Sequence, residues 1–246
     1  MNFDERIEVD TVSIKAVLFD LDGTLLPMDQ DTFVKVYFGG LCRRLAPFGY
    51  APDAIVDAIW RGTAAMVKNT GEKRNEEVFW NTFAACLGEG IRAQEAELEA
   101  FYREDFPSVS RSCGYDPRAK DVIDAVKKKG KQIVLATNPI FPAVATECRI
   151  GWAGLSVADF ELITTYENSS YCKPNPAYYR AILSRLGLAP EECVMVGNDV
   201  GEDMIAETLG MRVFLLTDCL INKHGDDITR YPRGGFDELL AFIETL

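Results

Sequence analysis

The longest apolar segment near the start of the chain is residues 14–19, in which Lys15 alone is polar. Such a segment is typical of a strand that is buried on both faces of a parallel sheet. Asp20 and Asp22 follow at once, and Gly23 allows the chain to turn sharply. Carboxylates are costly at the end of a core strand unless they are paired or bind a ligand. The pattern therefore indicates either a plain exit from the strand into a turn or a ligand site.

Apolar residues with helical spacing occupy the next part of the chain, and no strand pattern interrupts them. Asp29 and Asp31 lie at the start of the first helical segment and are interpreted as capping residues. The spacing predicts four helices, at residues 31–45, 53–67, 75–87 and 93–106, the last of which ends before a proline. Four amphipathic helices with short connections are enough for a bundle-like second domain, which we place at residues 27–113.

Beyond residue 113 the pattern changes to strands that alternate with helices. It predicts strands at residues 133–136, 160–164, 193–196 and 212–216, and helices at 117–130, 143–149, 176–187, 202–209 and 236–245. Such alternation builds a parallel sheet with helices on both faces. We predict an α/β fold: a Rossmann-like core of residues 1–26 and 114–246, with residues 1–12 as a loose lead-in, and a smaller all-helical domain at 27–113.

Composition narrows the possible partners and compartments. Lys and Arg number 26 against 38 Asp and Glu, a net charge of -12, which argues against binding to nucleic acid or to an anionic membrane. No apolar run is long enough to cross a bilayer and the acidic start lacks the features of a secretory signal, so we expect a cytoplasmic protein. The 7 cysteines form no CxxC pair, which favours free thiols. Nothing in the sequence requires more than a monomer.

Four polar motifs stand at or just beyond the carboxyl ends of predicted strands. They are Asp20-Leu21-Asp22-Gly23-Thr24, Thr137-Asn138, Lys173-Pro174 and Gly197-Asn198-Asp199-Val200-Gly201-Glu202-Asp203. Together, and in this order, they resemble the motifs of the haloacid dehalogenase (HAD) superfamily in its phosphatase branch. The resemblance covers about residues 14–216. It implies the HAD fold for the core and gives the helical insert the position of the family's cap domain.

The resemblance also implies a reaction and a metal. Asp20 would be the nucleophile that forms an aspartyl-phosphate intermediate, and Asp22 would be the general acid and base. Mg²⁺, which prefers oxygen ligands, would be bound by the Asp20 side chain, the Asp22 backbone carbonyl and Asp199, with Asp203 as a further ligand or a supporting residue. Asn198 separates Asp199 from the glycine that the family usually places beside it, so the acid that touches the ion stays open. A capped turn is the alternative for this loop.

The two middle motifs would hold the phosphoryl group. Thr137 and Asn138 offer a hydroxyl, an amide and backbone N–H groups to its oxygens. Lys173 would neutralise the nucleophile and the phosphate as a compact cation. Taken singly, each motif also fits an ordinary polar loop.

Specificity is expected to come from the cap. Its longest break between predicted helices is the polar segment 68–75, in which we predict that Lys68, Asn69 and Arg74 contact the substrate. A solvated turn is the alternative. Hinges for closure of the cap are expected near the ends of the insert.

The function expected from these features is magnesium-dependent hydrolysis of a small phosphorylated metabolite. One alternative is a phosphomutase acting on a sugar phosphate, because it needs the same core residues. Another is a non-catalytic module that binds a phosphorylated ligand. A dehalogenase is disfavoured, since displacement of a halide has no use for the acid at Asp22. The sequence does not identify the substrate.

Overall fold

The computed structural model describes residues 13–246 and contains a sheet of six parallel strands in the order β3-β2-β1-β4-β5-β6. The strands are β1 (Ala16–Phe19), β2 (Gln132–Leu135), β3 (Leu162–Ile163), β4 (Cys193–Gly197), β5 (Arg212–Leu216) and β6 (Arg233–Gly234). The predicted parallel sheet is confirmed, although β6 is too short for its sequence pattern to reveal it. The lead-in predicted at residues 1–12 lies outside the described residues.

Strand β1 lies inside the sheet and is buried on both faces. Val17 and Phe19 belong to the apolar layer that includes helices α5 (Arg118–Lys128) and α8 (Phe236–Glu244). The intervening residues of β1 face the opposite layer, which includes helix α7 (Pro176–Leu186). This alternation follows from the two-residue period of a strand. Two covered faces explain why nearly every position of the segment is apolar.

The register of the sheet brings three strand ends together. Phe19 at the end of β1 pairs with Leu135 on β2 and with Val196 on β4. Because all three strands are parallel, the residues that follow them leave the sheet at the same edge. The polar motifs after β1, β2 and β4 therefore meet there.

The insert contains the first three helices almost as predicted: α1 (Gln30–Leu45), α2 (Pro52–Val67) and α3 (Asn75–Leu87). The capping role of Asp29 is confirmed, because its side chain accepts the N–H of Thr32 at 2.8 Å. Asp31 lies exposed in the first turn of α1, where a negative charge is favourable.

The regular fourth helix predicted at residues 93–106 is wrong. The chain forms a 3₁₀ turn (Glu89–Gln94), a short helix α4 (Glu95–Ala100), a π-helical turn (Phe101–Asp105) and a second 3₁₀ segment (Phe106–Ser112). Pro107 does not end this run, because it lies in the first turn of the last segment, where no backbone N–H is needed. The helix predicted at residues 202–209 is likewise a 3₁₀ segment (Met204–Leu209). No helix among the described residues is long and apolar enough to span a membrane.

The two segments that connect the insert to the core, at residues 27–28 and 113–114, run side by side. Met28 and Cys113 form an antiparallel bridge, and the N–H of Gly114 donates to the carbonyl of Pro27 at 2.7 Å. We propose that these connections are the domain boundaries, at the predicted divisions 26/27 and 113/114, because the chain enters and leaves the run of helical segments there.

A second attachment of the insert lies at the start of α3. Asn75 is fully buried, and its backbone N–H donates to the carbonyl of Ser169 at 2.9 Å. Its amide Nδ2 lies 3.1 Å from the carbonyl of Pro139 and 3.3 Å from the Sγ of Cys172. Both these connections and α3 therefore tie the insert to the core.

The alkylation rate of Cys172 is expected to show whether this second attachment is formed. Its thiol is buried under Asn75, and burial raises the pKa of Cys172 to about 12, so few molecules carry the reactive thiolate near pH 8. Cys86 is exposed. We predict that iodoacetamide modifies Cys86 much faster than Cys172 in the native protein, as measured by peptide mass spectrometry. The unfolded chain, in which the two rates converge, is the control; equal rates in the native protein would contradict the burial of Cys172.

Candidate active site

A cavity of about 670 Å³ lies between the helical insert and the carboxyl edge of the sheet. Its floor is polar and consists of residues that follow β1, β2 and β4: Asp20, Asp22, Thr137, Asn138, Asn198, Asp199, Glu202 and Asp203. Three of the four predicted motifs thus meet in one place. The remaining motif reaches the floor through Lys173, which is buried beneath it.

Lys173 connects the nucleophile candidate to the last motif. Its side chain is 1% exposed, and its Nζ lies 2.8 Å from Asp20 Oδ1 and 2.6 Å from Asp203 Oδ1. Burial alone would lower the pKa of Lys173, but the two carboxylates outweigh it and hold that pKa well above its usual value. Lys173 therefore stays charged. The other oxygen of Asp20 accepts the hydroxyl of Thr24 at 3.2 Å, so both oxygens of Asp20 are oriented.

Asp203 is held by the protein at both carboxylate oxygens. Oδ1 binds Lys173, and Oδ2 accepts the N–H of Asp199 at 3.0 Å. Gly197 makes room for it, because a methyl group at that position would overlap the carboxylate. Burial raises the pKa of Asp203, and the charge of Lys173 opposes that rise. This arrangement favours a supporting role for Asp203 over direct coordination of a metal ion, the two roles that the sequence left open.

Asp22 has a partner that the sequence did not reveal. One carboxylate oxygen of Asp22 forms an ion pair with Nη1 of Arg149, whose side chain is 1% exposed. The other oxygen, Oδ1, is buried and has no hydrogen-bond partner among residues 13–246. Burial raises the pKa of Asp22, while Arg149 opposes the rise. The carboxylate is therefore anchored through one oxygen and free at the other.

Arg149 is packed as a core residue despite its charge. It lies on helix α6 (Ala143–Trp152), its Nε is 3.3 Å from the carbonyl of Ala145, and its guanidinium carbon is 4.3 Å from the centroid of the Phe141 ring. The sequence predicts a helix that ends near Arg149, where a cation is common and needs no special role. Because α6 continues to Trp152, Arg149 instead occupies a buried position inside the helix. The run of apolar neighbours around it was the one available signal.

Thr137 and Asn138 lie at the end of β2, as predicted. The carbonyl of Thr137 accepts the hydroxyls of Tyr178 at 2.9 Å and Thr164 at 2.7 Å, which fixes the loop. Asn138 uses its amide within the protein: Nδ2 donates to Glu202 at 3.0 Å, and Oδ1 accepts the N–H of Lys173 at 3.2 Å. Asn138 therefore ties three motifs together, and its side chain is engaged before any ligand binds.

The last motif is folded around Asn198. The Asn198 side chain donates to the carbonyl of Cys219 at 2.7 Å, and its Oδ1 lies 3.0 Å from the hydroxyl oxygen of Thr24, whose single proton is directed to the stronger acceptor, the Asp20 carboxylate. It also packs on Gly23, whose φ of 86° and lack of a side chain permit this contact. Asp199 lies on the cavity floor. Its Oδ1 accepts the N–H groups of Gly201 and Glu202, and its Oδ2 lies 3.7 Å from the Nζ of Lys223. Asp199 thus has one oxygen, Oδ2, that accepts no hydrogen bond within residues 13–246.

The family model for haloacid dehalogenase-like hydrolases matches residues 14–206, from just before β1 to beyond β4. The chain is a haloacid dehalogenase-like hydrolase. Phosphoserine phosphatase of Thermus thermophilus is 29% identical to this hydrolase over 217 residues, which cover 78% of this chain and 83% of the relative. Phosphoglycolate phosphatase 1 of Pseudomonas aeruginosa is 26% identical over 209 residues, which cover 82% of this chain and 69% of the relative. The expected family is confirmed.

Solved structures show the same fold. The HAD phosphatase from Thermococcus onnurineus has a TM-score of 0.58 to this hydrolase at 21% identity, over 94% of this chain and 98% of the other. The α/β core with a helical insert after the first strand, expected from the sequence, is therefore confirmed by the architecture.

The cap residues predicted to bind substrate do not line the cavity of the hydrolase. Lys68 is exposed at the end of α2. Asn69 instead folds its own loop, because its Nδ2 donates to Lys73 and to Asn75, each at 2.8 Å. Arg74 donates to the carbonyl of Asn168 at 2.9 Å. The polar groups of Asn69 and Arg74 are therefore used to fold this segment and dock it on the core.

Aromatic side chains from the cap and from two core loops form the upper wall instead. They are Phe33, Tyr37, Phe38, Trp60, Phe79, Trp80, Phe83, Tyr102, Phe141 and Tyr166. Several glutamates also line the wall: Glu76, Glu95, Glu99, Glu147 and Glu167. Within the described chain, Arg103 is the only Lys or Arg that lines the cavity, and its Nη2 lies 2.6 Å from Glu99. The hydrolase therefore has a polar, preorganised floor under an apolar and acidic wall.

Proposed function

We propose that this hydrolase is a magnesium-dependent phosphatase that cleaves a small phosphorylated metabolite through a phosphorylated Asp20. The observation that carries the proposal is the placement of Asp20 on the cavity floor with both of its oxygens oriented by Lys173 and Thr24. An oriented carboxylate is a competent nucleophile, because it attacks without first reorganising. The phosphatase names of the curated relatives agree with this reaction.

In the first step, a carboxylate oxygen of Asp20 attacks phosphorus, and the bond from phosphorus to the ester oxygen breaks. Asp22 donates a proton to the departing oxygen. The free Oδ1 of Asp22 is the atom suited to carry that proton, because the other oxygen is bound to Arg149. The products of this step are the free alcohol and a phosphoryl group on Asp20.

In the second step, a water molecule attacks phosphorus while Asp22 takes up one of its protons. The bond from phosphorus to the Asp20 oxygen breaks, which releases inorganic phosphate and restores both carboxyl groups to their starting states. Burial and the Arg149 charge act on Asp22 in opposite directions, which suits a group that must be protonated in one step and ionised in the next.

The phosphoryl oxygens would be held by the residues around Asp20. The backbone N–H groups of Thr137 and Asn138 have no backbone acceptor within residues 13–246, so they remain available to an anion. Thr137 also lines this floor, so its hydroxyl is a further candidate donor. Lys173 adds positive charge beneath it, which lowers the repulsion between the nucleophile and an anionic ester.

The donor set of the floor fits Mg²⁺. The candidates are a carboxylate oxygen of Asp20, the backbone carbonyl of Asp22 and the Oδ2 of Asp199, all of them hard oxygen ligands. Across residues 13–246, no cluster of three or more His, Cys, Asp and Glu side chains could hold a metal ion. Mg²⁺ does not require such a cluster, because it usually takes one or two carboxylates together with waters and substrate phosphate. When bound, the ion would neutralise charge on the transferring phosphoryl group.

Removal of the metal is expected to abolish activity reversibly. Without a divalent cation, Asp20, Asp199 and the substrate phosphate repel one another, and Lys173 alone does not offset them. We predict that EDTA lowers phosphate release by at least about 100-fold and that excess Mg²⁺ restores it. The assay is release of inorganic phosphate from a panel of phosphorylated sugars, nucleotides, hydroxy acids and apolar alcohols.

The same assay separates the alternatives. Isomerisation of an added sugar phosphate without phosphate release would support a phosphomutase. Binding of Mg²⁺ and phosphate to the folded protein, with no turnover of any ester, would support a non-catalytic module. Full activity in the presence of EDTA would contradict the proposed role of the metal.

A further inference from the structure

The cavity wall opposite Asp20 has a composition that selects among phosphate esters. The floor supplies the polar contacts for a phosphoryl group, but the alcohol portion of a substrate must lie against the upper wall. That wall is formed mainly by aromatic rings of α1, α2 and α3, together with Phe141 and Tyr166 from the core. Burial of apolar surface is the interaction that such a wall offers.

Many of these rings are already packed on one another, in two groups. In the first group, Tyr37 lies 6.0 Å from Phe33 in a stacked arrangement and 5.5 Å from Phe141, between ring centroids. In the second, Phe79 stacks on Phe83 at 5.1 Å. Rings held by one another lose little further freedom when a ligand binds, so the apolar surface they offer is preorganised.

The charges of the wall act against an anionic alcohol portion. Glu76, Glu95 and Glu167 lie close enough together that each of the other two raises the pKa of Glu76, although burial is the larger cause. Arg103, the single cation that lines the cavity in the described part of the chain, is already paired with Glu99. A carboxylate or a second phosphate on the substrate would therefore be placed near negative charge, and among residues 13–246 no unpaired Lys or Arg lines the cavity to meet it.

We propose that this phosphatase acts on monophosphate esters of bulky, aromatic alcohols that carry no negative charge apart from the phosphate. The proposal rests on the phosphatase activity proposed above. It separates this chain from its named relatives, since phosphoserine and phosphoglycolate each carry a carboxylate.

Three esters that share an alkyl–oxygen–phosphorus linkage test the proposal. They are ethyl phosphate, 2-phenylethyl phosphate and the 4-carboxy derivative of 2-phenylethyl phosphate. Because their leaving groups have similar basicity, differences in kcat/KM report on the wall. We expect kcat/KM for 2-phenylethyl phosphate to exceed that for ethyl phosphate by about tenfold or more. We expect kcat/KM for the 4-carboxy ester to be lower than that for 2-phenylethyl phosphate by at least about tenfold.

Trp60 allows the wall to be tested without disturbing the core. It lines the cavity, packs edge-on against Phe38 at 5.4 Å and is 51% exposed. We expect Trp60→Ala to lower kcat/KM for 2-phenylethyl phosphate about tenfold, while ethyl phosphate changes less than about twofold. Phe48→Ala is the matched control, because Phe48 is an exposed cap aromatic (42%) that does not line the cavity.

The outcomes distinguish this proposal from the activity on which it rests. Equal kcat/KM for the ethyl and phenylethyl esters, or a preference for the carboxylated ester or for phosphoglycolate, would overturn the substrate class and leave the phosphatase intact. Equal losses with both esters in Trp60→Ala would also overturn it. No Mg²⁺-dependent release of phosphate from any of the esters would overturn both proposals.

Discussion

Replacement of Asp20 by asparagine is expected to lower kcat by about 10⁴-fold or more, the size of effect produced when a nucleophile is removed. An amide oxygen is a far poorer nucleophile than a carboxylate, and Asp20 is the acid on the floor whose two oxygens Lys173 and Thr24 orient. The fold should survive, because Lys173 keeps Asp203 as a counter-ion at 2.6 Å. Phosphate release and thermal unfolding of the same preparation measure the two effects.

Asp31→Asn is the matched control for this substitution. Asp31 is an exposed acid in the first turn of α1, so the same chemical change there should leave kcat within about twofold. Acid-quenched samples of the wild type that contain a phosphorylated Asp20 peptide would identify the intermediate directly. Turnover by a folded Asp20→Asn variant at more than about a hundredth of the wild-type rate would contradict phosphoryl transfer to Asp20.

Replacement of Arg149 by methionine is expected to destabilise the protein by about 3 kcal/mol and to lower kcat as well. The substitution leaves the Asp22 carboxylate without its ion-pair partner, and the other Asp22 oxygen already has no hydrogen-bond partner among the described residues. Removing one member of a buried pair costs more than the pair itself contributes, because the remaining charge is no longer compensated. Denaturant unfolding gives the change in stability, and phosphate release at saturating substrate gives kcat.

A double-mutant cycle tests whether Asp22 is the reason for this loss. Asp22→Asn combined with Arg149→Met leaves no uncompensated charge, so the double variant should be more stable than Arg149→Met alone. Arg149→Lys keeps the charge but loses the planar guanidinium that packs on Phe141, and its stability should fall in between. Additive losses in the cycle would show that Arg149 stabilises the core by packing alone.

A shift in the pH dependence of kcat would separate a catalytic contribution of Arg149 from a structural one. Arg149 opposes the rise in the pKa of Asp22 that burial causes, so its removal should raise that pKa further. The step that needs ionised Asp22 should then require a higher pH, and the acidic limb of the kcat profile should move upward. An unchanged profile in Arg149→Met would leave Arg149 with a role in stability only.

Local sequence patterns were sufficient for most of the core. An apolar segment bounded by Asp20 predicts a buried strand, and alternation of strands and helices predicts a parallel sheet, because each depends on residues close in sequence. The irregular turns after α3 could not be predicted in this way. Their π-helical and 3₁₀ geometry in residues 101–112 accompanies the packing of Phe101 and Phe106 against α1, which is a contact at long range.

Local sequence patterns also failed to identify which cap residues line the cavity. Segment 68–75 is polar, which favoured a binding loop, yet Asn69 and Arg74 use their polar groups to fold and dock that segment. The cavity wall comes instead from apolar helix positions such as Phe79, which the sequence can only interpret as core. A helix face that lines a cavity and one that packs in a core have the same periodicity.

By itself, the sequence determined the family, the α/β core and the candidate residues Asp20, Asp22, Thr137, Lys173 and Asp199, because these lie in short motifs beside apolar strands. Only the tertiary structure decided which partners those residues have. Lys173 meets Asp20 across 153 positions of sequence, and Arg149 meets Asp22 across 127. Lys173 meets Asp20 because the segments that follow parallel strands lie at one edge of the sheet, whereas Arg149 reaches Asp22 from inside helix α6. Neither contact can be inferred from the spacing of residues along the chain.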